Sequence, residues 1–162
     1  WIGAESGSQK VIDNMDRRVD VEQVRNMIQL SRKQGIEAGT FIMLGYPGET
    51  QQDIKETIRH LILSDPDHYT ITVAYPIKGT PLYTEVEDHF ISKSLWETST
   101  DRDIDFKRTY NRNFYNYAVR WVYNEVHYHK QKHKSAFSLR SMTLKFKSIA
   151  AQGGMMLEKL RG

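Results

Sequence analysis

A nearly continuous apolar and β-favouring run, Ile36 to Leu44, constrains the fold of this chain most. It ends at Gly45-Tyr46-Pro47-Gly48, a group of residues typical of a turn. A run without polar alternation is typical of a strand buried on both faces, as in a parallel sheet. We therefore expect helices on both sides of this strand in the sequence.

Helical patterns do flank the run. Asp20 is a good N-cap for a helix with Val21, Val24, Met27, Ile28 and Leu30 on one side and an end at Gly35. Thr50 can cap the next helix, and Asp65-Pro66 stops it. The inner face of this second helix is expected to consist of Ile54, Ile58, Leu61 and Ile62.

Two further β segments complete an alternating order. Trp1 to Ala4 is typical of the end of a strand, and Ser8 can cap a short helix after it. Tyr69 to Tyr75 predicts a third strand, broken by Pro76, and Thr80-Pro81 opens another short helix. This alternation predicts an α/β fold with parallel strands. Three strands cannot close a barrel, and a chain that opens with Trp1 is expected to be a fragment or a processed piece.

The charge divides the chain in two. Residues 1–106 hold 11 Lys/Arg and 18 Asp/Glu, which gives a net charge of −7. Residues 107–162 hold 12 Lys/Arg and 2 Asp/Glu, which gives a net charge of +10. After about Phe90 the sequence predicts helices alone, one from Asp105 to Lys134 and one from Ser138 to Ala151. A last short helix is expected after Gly153-Gly154.

The composition excludes several classes of protein. The chain has 0 Cys, which excludes a disulfide scaffold and any thiolate-ligated zinc or iron–sulfur site held by this chain alone. No apolar run approaches the ~20 residues of a membrane-spanning helix, and no secretory leader is apparent. We expect a cytoplasmic protein.

Three unusual loops follow the three predicted strands. They are Gly3 to Ser8, Gly45 to Thr50 and Tyr75 to Pro81. Ligands of parallel α/β folds bind at the carboxyl ends of the strands, so the loops predict a small-ligand site, although Gly and Pro also occur in ordinary turns. Glu5 and Ser6 could hydrogen-bond ribose hydroxyls or an ammonium group. The sequence holds neither a P-loop nor a G-x-G-x-x-G dinucleotide fingerprint.

The loops carry a specific resemblance. G-A-E-S-G-S with a short helix ending in Met-Asp-Arg, then F-I-M-L-G-Y-P-G-E-T, then Y-P-I-K-G-T-P-L-Y, resembles radical S-adenosylmethionine (SAM) enzymes. The similarity is greatest to the cobalamin-binding branch typified by the anaerobic magnesium-protoporphyrin monomethyl ester cyclase. It covers residues 1 to about 83, and Arg112 to Tyr115 weakly resembles the helical extension of that branch. Methylthiotransferases, which usually have Gln at the position of Glu5, rank lower.

The resemblance implies a fold and a set of cofactor-binding residues. The visible strands would be the fourth, fifth and sixth of a partial (β/α)6 TIM-like barrel, in residues 1–89, with a basic, aromatic-rich helical extension in residues 90–162. Glu5, Ser6 and Gly7 match the segment that contacts the ribose and amino-acid parts of SAM. The residues that match the turn shaping the adenosine pocket are Gly45, Pro47, Gly48 and Glu49. Tyr75 and Pro76 match the segment that lies beside the adenine.

The same resemblance implies chemistry that this chain cannot perform alone. In the family a CxxxCxxC motif holds a 4Fe–4S cluster that binds SAM, and the enzyme cleaves SAM to a 5′-deoxyadenosyl radical or uses methylcobalamin. With no Cys, we expect an inactive fragment without catalytic or metal-ligating residues of its own. The parent would use SAM, a 4Fe–4S cluster, cobalamin, and an electron donor such as flavodoxin or ferredoxin. Its substrate would be a small molecule, a lipid or a tetrapyrrole.

The basic extension leaves several interpretations open. His127, His129 and His133 could bind a divalent ion, but neighbouring lysines favour a solvated basic helix. For the net charge of +10 with interleaved aromatic residues, the favoured interpretation is a helix face exposed to solvent. Contact with an anionic membrane ranks second, and binding of nucleic acid ranks third. Lys145-Phe146-Lys147 with Leu144 and Ile149 is amphipathic enough to lie on a bilayer.

Two rival functions remain. One is a non-catalytic α/β binding module whose basic tail contacts membrane or RNA. The other is a complete small enzyme that uses Glu5 and Glu49 as acid and base, which requires both carboxylates within reach of one substrate.

Overall fold

The computed structural model describes residues 1–92, 100–101, 104–134 and 138–161. Strands and helices alternate in the first part of the chain, and two long helices form the last part. In chain order the elements are β1 (Ile2–Glu5), α1 (Gln9–Asn14), α2 (Val21–Lys33), β2 (Gly39–Leu44), α3 (Gln51–Ser64), β3 (His68–Val73), α4 (Pro81–Val86), a 3-10 helix (Glu87–His89), β4 (Phe90–Ser92), β5 (Asp105–Phe106), α5 (Arg112–Lys134) and α6 (Leu139–Arg161).

Strands β1, β2 and β3 form a parallel sheet in that order. Thr40 of β2 is paired with Ile2 on one side and with Tyr69 on the other. All three carboxyl ends therefore lie at one edge of the sheet. The predicted α/β class and parallel strands are confirmed, whereas the six-stranded barrel stays a prediction.

The two faces of β2 differ, contrary to the prediction of burial on both. Thr40, Ile42 and Leu44 are buried, but Phe41 on the other face is 46% exposed. Helices α2, α3 and α5 contribute to the core on the first face. The strand begins at Gly39 rather than Ile36, which is exposed. We call the face that carries Phe41 the open face of the sheet.

Local capping signals set the helix ends. The Asp20 carboxylate accepts hydrogen bonds from the backbone N–H groups of Glu22 and Gln23, and Thr50 forms a capping box with Asp53. The inner face of α3 is as predicted, with Ile54, Ile58 and Leu61 buried and Ile62 partly buried. In α2, however, only Val21, Val24 and Ile28 are buried, and the predicted inner residues Met27 and Leu30 are exposed.

The prediction of helices alone after Phe90 was wrong. Strands β4 and β5 form a short antiparallel pair, with Phe90 opposite Phe106. Helix α5 consequently begins at Arg112 rather than Asp105. Phe114, Trp121 and Val122 of this helix are buried and face the core.

Helix α6 continues through Gly153-Gly154, where the sequence predicted a break. A Cβ at Gly154 would lie 2.5 Å from Cδ1 of Tyr117, whereas a Cβ at Gly153 would meet nothing within 4 Å. Gly154 therefore allows α5 and α6 to approach closely. This packing compensates for the low helix propensity of the two glycines.

One hydrophobic core joins the sheet to the last two helices. It includes Ile42 and Leu44 from β2, Trp121 from α5 and Met155 from α6. The proposed boundary between residues 89 and 90 stays a prediction. In the described part of the chain, no helix is both long enough and apolar enough to cross a membrane.

Candidate functional site at the carboxyl edge of the sheet

The three loops singled out in the sequence leave the same edge of the sheet. They follow β1 at Glu5, β2 at Leu44 and β3 at Val73. This is the edge where parallel α/β folds bind their ligands. The structure therefore brings the predicted segments to one end of the fold.

Glu5 lies at a strained position in the first loop. Its φ is +57°, in the left-handed region, and the pairing of β1 with β2 is irregular between Gly3 and Glu5. Such a conformation costs a non-glycine residue roughly 1–3 kcal/mol and occurs preferentially at functional sites.

The Glu5 carboxylate folds back over Gly3. A Cβ at Gly3 would lie 2.9 Å from Oε1 of Glu5, so the glycine leaves room for the carboxylate. Gly3 is paired with Phe41, and paired residues of neighbouring strands point to the same face. The carboxylate therefore lies beside the open face, with its Oε1 3.4 Å from Nη2 of Arg17. The Glu5 side chain retains 20% exposure and can reach a ligand.

Ser6 and Gly7 instead anchor the first loop on α3. The Ser6 hydroxyl is buried 3.2 Å from Oγ1 of Thr57, and the Gly7 N–H donates to the same oxygen at 3.0 Å. A Cβ at Gly7 would lie 2.5 Å from both Cβ of His60 and Cα of Thr57. Gly7 is thus required by close packing, and the Ser6 hydroxyl is directed into the protein.

The second loop contains a tight turn. Pro47 and Gly48 are its central residues, Gly48 has φ +76°, and the Glu49 N–H donates to the Tyr46 carbonyl at 3.0 Å. This is the arrangement of a type II turn, in which glycine is favoured at the third position. The turn leads directly into the N-cap of α3.

Glu49, which ends this turn, is 0% exposed. Its Oε2 accepts a hydrogen bond of 2.6 Å from the Gly45 N–H, and its Oε1 has no hydrogen-bond partner among the described residues. Burial raises the pKa of Glu49 to about 8, against the opposing effect of the Gly45 bond. The acid is therefore mainly protonated at neutral pH. Such a buried group offers no support for an acid–base pair with Glu5.

Asp53 links the first two loops, a role that the sequence reasoning missed. It accepts hydrogen bonds from the Ser8 hydroxyl at 2.7 Å, the Lys10 ammonium at 3.0 Å and the Thr50 N–H at 2.7 Å. Burial raises the pKa of Asp53, but the bonds from Thr50, Ser8 and Lys10 outweigh it and lower the pKa to about 2. The spacing Thr50-x-x-Asp53, a capping-box pattern, is the sequence signal that could have identified it.

The third loop begins with a half-buried Tyr75 and a buried Pro76. A turn follows in which the Thr80 N–H donates to the Ile77 carbonyl at 3.0 Å. Thr80 then caps α4, as predicted, by accepting a bond from the Tyr83 N–H. Tyr75 and Pro76 thus follow the end of the third visible strand, and their position beside an adenine stays a prediction.

Two residues of the region after the sheet also reach this edge. The Arg108 guanidinium is buried, stacks 4.0 Å from the Phe106 ring centre and donates through Nη2 to the Ala74 carbonyl at 2.7 Å. A Cβ at Gly45 would come within 3.2 Å of Arg108 Cδ and 3.4 Å of Tyr115 Cε1. The sequence carries no local signal for this contact, because it depends on how α5 packs against the sheet.

The histidines of α5 take part in separate contacts. His127 Nδ1 lies 3.1 Å from the Tyr69 hydroxyl, and His129 Nε2 lies 3.5 Å from Oε1 of Glu125. The side chain of His133 lies outside the described residues. Within the described residues, no group of three or more acidic or histidine side chains is placed to hold a metal ion.

Comparison with known proteins finds a similarity for the part of the chain that holds the first two loops. Residues 2–61 match the model of the Radical SAM superfamily. This segment contains the first two loops and α3, which build most of the edge just described. Residues 2–61 are thus similar to the Radical SAM superfamily.

Several named relatives are also similar to part of this chain. An uncharacterized methyltransferase of Pyrococcus horikoshii is 30% identical over 105 residues, 64% of this chain and 23% of the relative. The ribosomal protein uS12 methylthiotransferase of Leptospira biflexa is 32% identical over 75 residues, 45% of this chain and 17% of the relative. A tRNA-2-methylthio-N(6)-dimethylallyladenosine synthase of Clostridium botulinum is 31% identical over 83 residues, which are 49% of this chain and 18% of the relative.

The chain spans about a quarter or less of the length of these relatives. The matched relatives with named activities are enzymes, several of them methylthiotransferases. The similarity to the cobalamin-binding branch, and to its cyclase in particular, is not confirmed by these comparisons.

Proposed function

We propose that this chain supplies the carboxyl-edge part of the SAM pocket of a radical SAM enzyme. The observation that carries the proposal is the convergence of three strand-end loops on one sheet edge, two of them inside the segment that matches the family. Glu5 and the turn at Pro47-Gly48 are the parts of this edge that we expect to contact SAM.

The first loop offers a suitable site for the polar part of SAM. The Glu5 carboxylate is held beside the open face and is close to one cation, Arg17. A carboxylate in this position can accept hydrogen bonds from ribose hydroxyls or from the ammonium group of SAM. The Ser6 hydroxyl is bonded to Thr57, so we expect Ser6 and Gly7 to act by holding the loop and through their backbone.

The second and third loops would shape the adenosine side of the pocket. Gly48 places backbone without a side chain after the end of β2, which permits a flat ring to approach, whereas the space beside Gly45 is filled by Arg108 and Tyr115. Glu49 would act as a positioning residue, because its carboxyl holds the Gly45 N–H from within the protein. Tyr75 and Pro76 would border the adenine from the neighbouring strand.

The residues of this chain do not fit the 4Fe–4S cluster. It has 0 Cys, and thiolates are the ligands of such clusters. We propose that a longer parent protein carries these cysteines. When cluster and SAM are both bound, the family's chemistry is reductive cleavage of SAM. The part of this chain would be to bind and orient SAM.

The reaction of the parent is the finer part of the proposal. The cyclase-like motifs favour methyl transfer or cyclisation with cobalamin on a lipid or tetrapyrrole, with reduction by flavodoxin or ferredoxin. The named relatives favour methylthio transfer as the second candidate. The absorbance spectrum of the purified parent would distinguish them, because bound cobalamin has visible bands that a cobalamin-free enzyme lacks.

The coding sequence across Trp1 provides a first experiment. We expect a CxxxCxxC motif ~100–150 residues before Glu5, about one domain's length. A start codon directly before Trp1 without that motif would contradict the enzymatic proposal and favour the non-catalytic binding module.

Variants of the parent provide the second experiment. Glu5→Gln should weaken SAM binding and slow formation of 5′-deoxyadenosine, because the amide carries no charge for the SAM ammonium. Glu37→Gln is a control, since Glu37 lies at the opposite end of the sheet, before β2, with its carboxylate against His68. Equal activity of the two variants would remove Glu5 from the site.

A further inference from the structure

Helix α6 carries a heptad pattern on its exposed side. Intervals of three and four residues alternate through the helix without interruption, and six of the seven positions hold large apolar side chains: Leu139, Met142, Phe146, Ile149, Gly153, Met156 and Leu160. The six apolar side chains are between 56% and 86% exposed. This spacing places the residues in one line along the helix, as in the contact line of a coiled coil. We call these seven positions the outer seam of α6.

The opposite side of α6 shows how the helix uses such a spacing. A second line of residues with the same alternating intervals packs against α5: Ser141, Leu144, Ser148, Ala151, Met155 and Glu158. Five of these side chains are buried, and Leu144 is partly buried. The helix thus contacts one neighbouring helix through a line of this form. The outer seam has the same form, holds larger apolar side chains and stays exposed.

Gly153 lies within the outer seam without a packing reason in its own chain. A Cβ at this position would meet nothing within 4 Å, in contrast to Gly154, whose Cβ would meet Tyr117. Glycine in a helix interior is unfavourable because it loses more conformational freedom on folding than other residues. The gap that Gly153 leaves between Ile149 and Met156 can accept a side chain from a second helix.

The flanks of the outer seam are largely neutral. The residues directly beside it are Thr143, Ala150 and Leu157 on one side, and Lys145, Gln152 and Lys159 on the other. The Lys145 ammonium donates to Oε1 of Glu125 at 2.8 Å, and the Lys159 ammonium lies 5.9 Å from the centre of the Tyr110 ring. Both lysines are thus engaged with groups of their own chain. Such flanks suit contact with a second apolar seam of the same kind.

The exposed apolar area of α6 is as large as a stable dimer requires. Seven of the fifteen exposed large apolar side chains among the described residues belong to this helix, namely the six of the outer seam and Leu157. At ~200 Å² for each when fully exposed, they offer about 900 Å² per copy, whereas a standard stable interface buries ~800 Å² of each partner. The other eight are spread over the rest of the chain. Among the described residues, the best match to the outer seam is therefore the same seam of a second copy.

We propose that the outer seam of α6 is a homodimer interface, in which the α6 helices of two copies of this chain pack against each other. The apolar side chains of each seam would fill the spaces between those of the other and leave water. A two-fold axis between the helices would use the same surface of both copies, so the contact closes at two chains. The seam includes none of the strand-end loops, and the proposal is therefore independent of SAM binding.

Sedimentation velocity of the 162-residue chain at about 1 to 100 μM tests the proposal. We expect a dimer whose fraction rises with concentration. Ile149→Glu should weaken dimerisation by about a hundredfold or more, because each copy would place a carboxylate in the apolar seam. Ile36→Glu is the matched control, since Ile36 is 61% exposed, Ile149 is 56% exposed, and Ile36 lies outside α6. The control should dimerise as the unmodified chain does.

Circular dichroism distinguishes a lost contact from a lost fold. Both isoleucines are exposed, so we expect each variant to keep the helical signal of the unmodified chain. Phe146→Glu, at a second exposed position of the seam, should dissociate the dimer as Ile149→Glu does. A chain that stays monomeric at about 100 μM would overturn the proposal. Equal dimerisation of Ile149→Glu and Ile36→Glu would overturn it too, as would a dimer that Phe146→Glu leaves intact.

Discussion

Replacement of Glu49 by Gln should remove a pH dependence of stability that the buried carboxyl creates. The folded state holds the Glu49 proton up to about pH 8, whereas the ordinary pKa of a glutamate is 4.5. Between these values the folded state binds more protons than the unfolded chain. The free energy of unfolding must therefore fall as the pH rises through this window.

The size of the effect follows from the shift. One pKa unit corresponds to about 1.4 kcal/mol, so the chain should lose about 2 kcal/mol between pH 6.5 and pH 8. His60, whose burial lowers its pKa from 6.5 to about 4, opposes this loss by only about 0.4 kcal/mol, because its unfolded imidazole is half protonated at pH 6.5 and neutral by pH 8. This contribution is the same in both chains. Glu49→Gln retains an acceptor for the Gly45 N–H but cannot ionise.

Urea denaturation at pH 6.5 and pH 8 measures both chains. The midpoint urea concentration of the unmodified chain should fall by roughly 1 M relative to that of Glu49→Gln, at a slope of about 2 kcal/mol per M. The midpoint of Glu49→Gln itself should stay level or rise slightly. If the two chains lose equal stability over this interval, the Glu49 carboxyl is not held protonated and the reasoning fails.

Two further substitutions test the packing and the loop anchor. Gly154→Ala should cost about 1–3 kcal/mol in thermal unfolding, because its Cβ would meet the Tyr117 ring, whereas Gly153→Ala should be neutral or gain up to about 1 kcal/mol. Equal effects would refute the close approach of α5 and α6. Asp53→Asn should lower the free energy of unfolding by about 2 kcal/mol at pH 7. It should also reduce the loss of stability below pH 4, because the pKa of Asp53 in the folded state is lowered and the asparagine cannot take up a proton there. An unchanged acid limb of the stability profile would contradict the proposed anchor.

Local signals account for the parts of the fold that the sequence predicts well. Asp20, Thr50 and Thr80 each accept a bond from the first turn of the helix that they precede. These contacts involve residues two or three positions apart, so a linear pattern contains them. The order of strands and helices follows from the same kind of information.

Tertiary packing decides the parts that the sequence predicts poorly. The α6 helix passes through Gly153-Gly154 because Gly154 lies against Tyr117, a residue of another helix. The open face at Phe41 depends on which helices reach the sheet. In the site, the strand-end loops were identified from their residues, but the contacts of Arg108 and Tyr115 near Gly45 link positions more than sixty residues apart. No local pattern encodes such contacts.

Amide chemical shifts of the ¹⁵N-labelled chain during titration with millimolar SAM test the central claim most directly. The account predicts that the largest shifts occur in residues 5–7 and 45–49, because these loops would border the bound molecule. Unchanged amides in both loops at saturating SAM, or shifts confined to other regions such as the ends of α2 and α3, would contradict it.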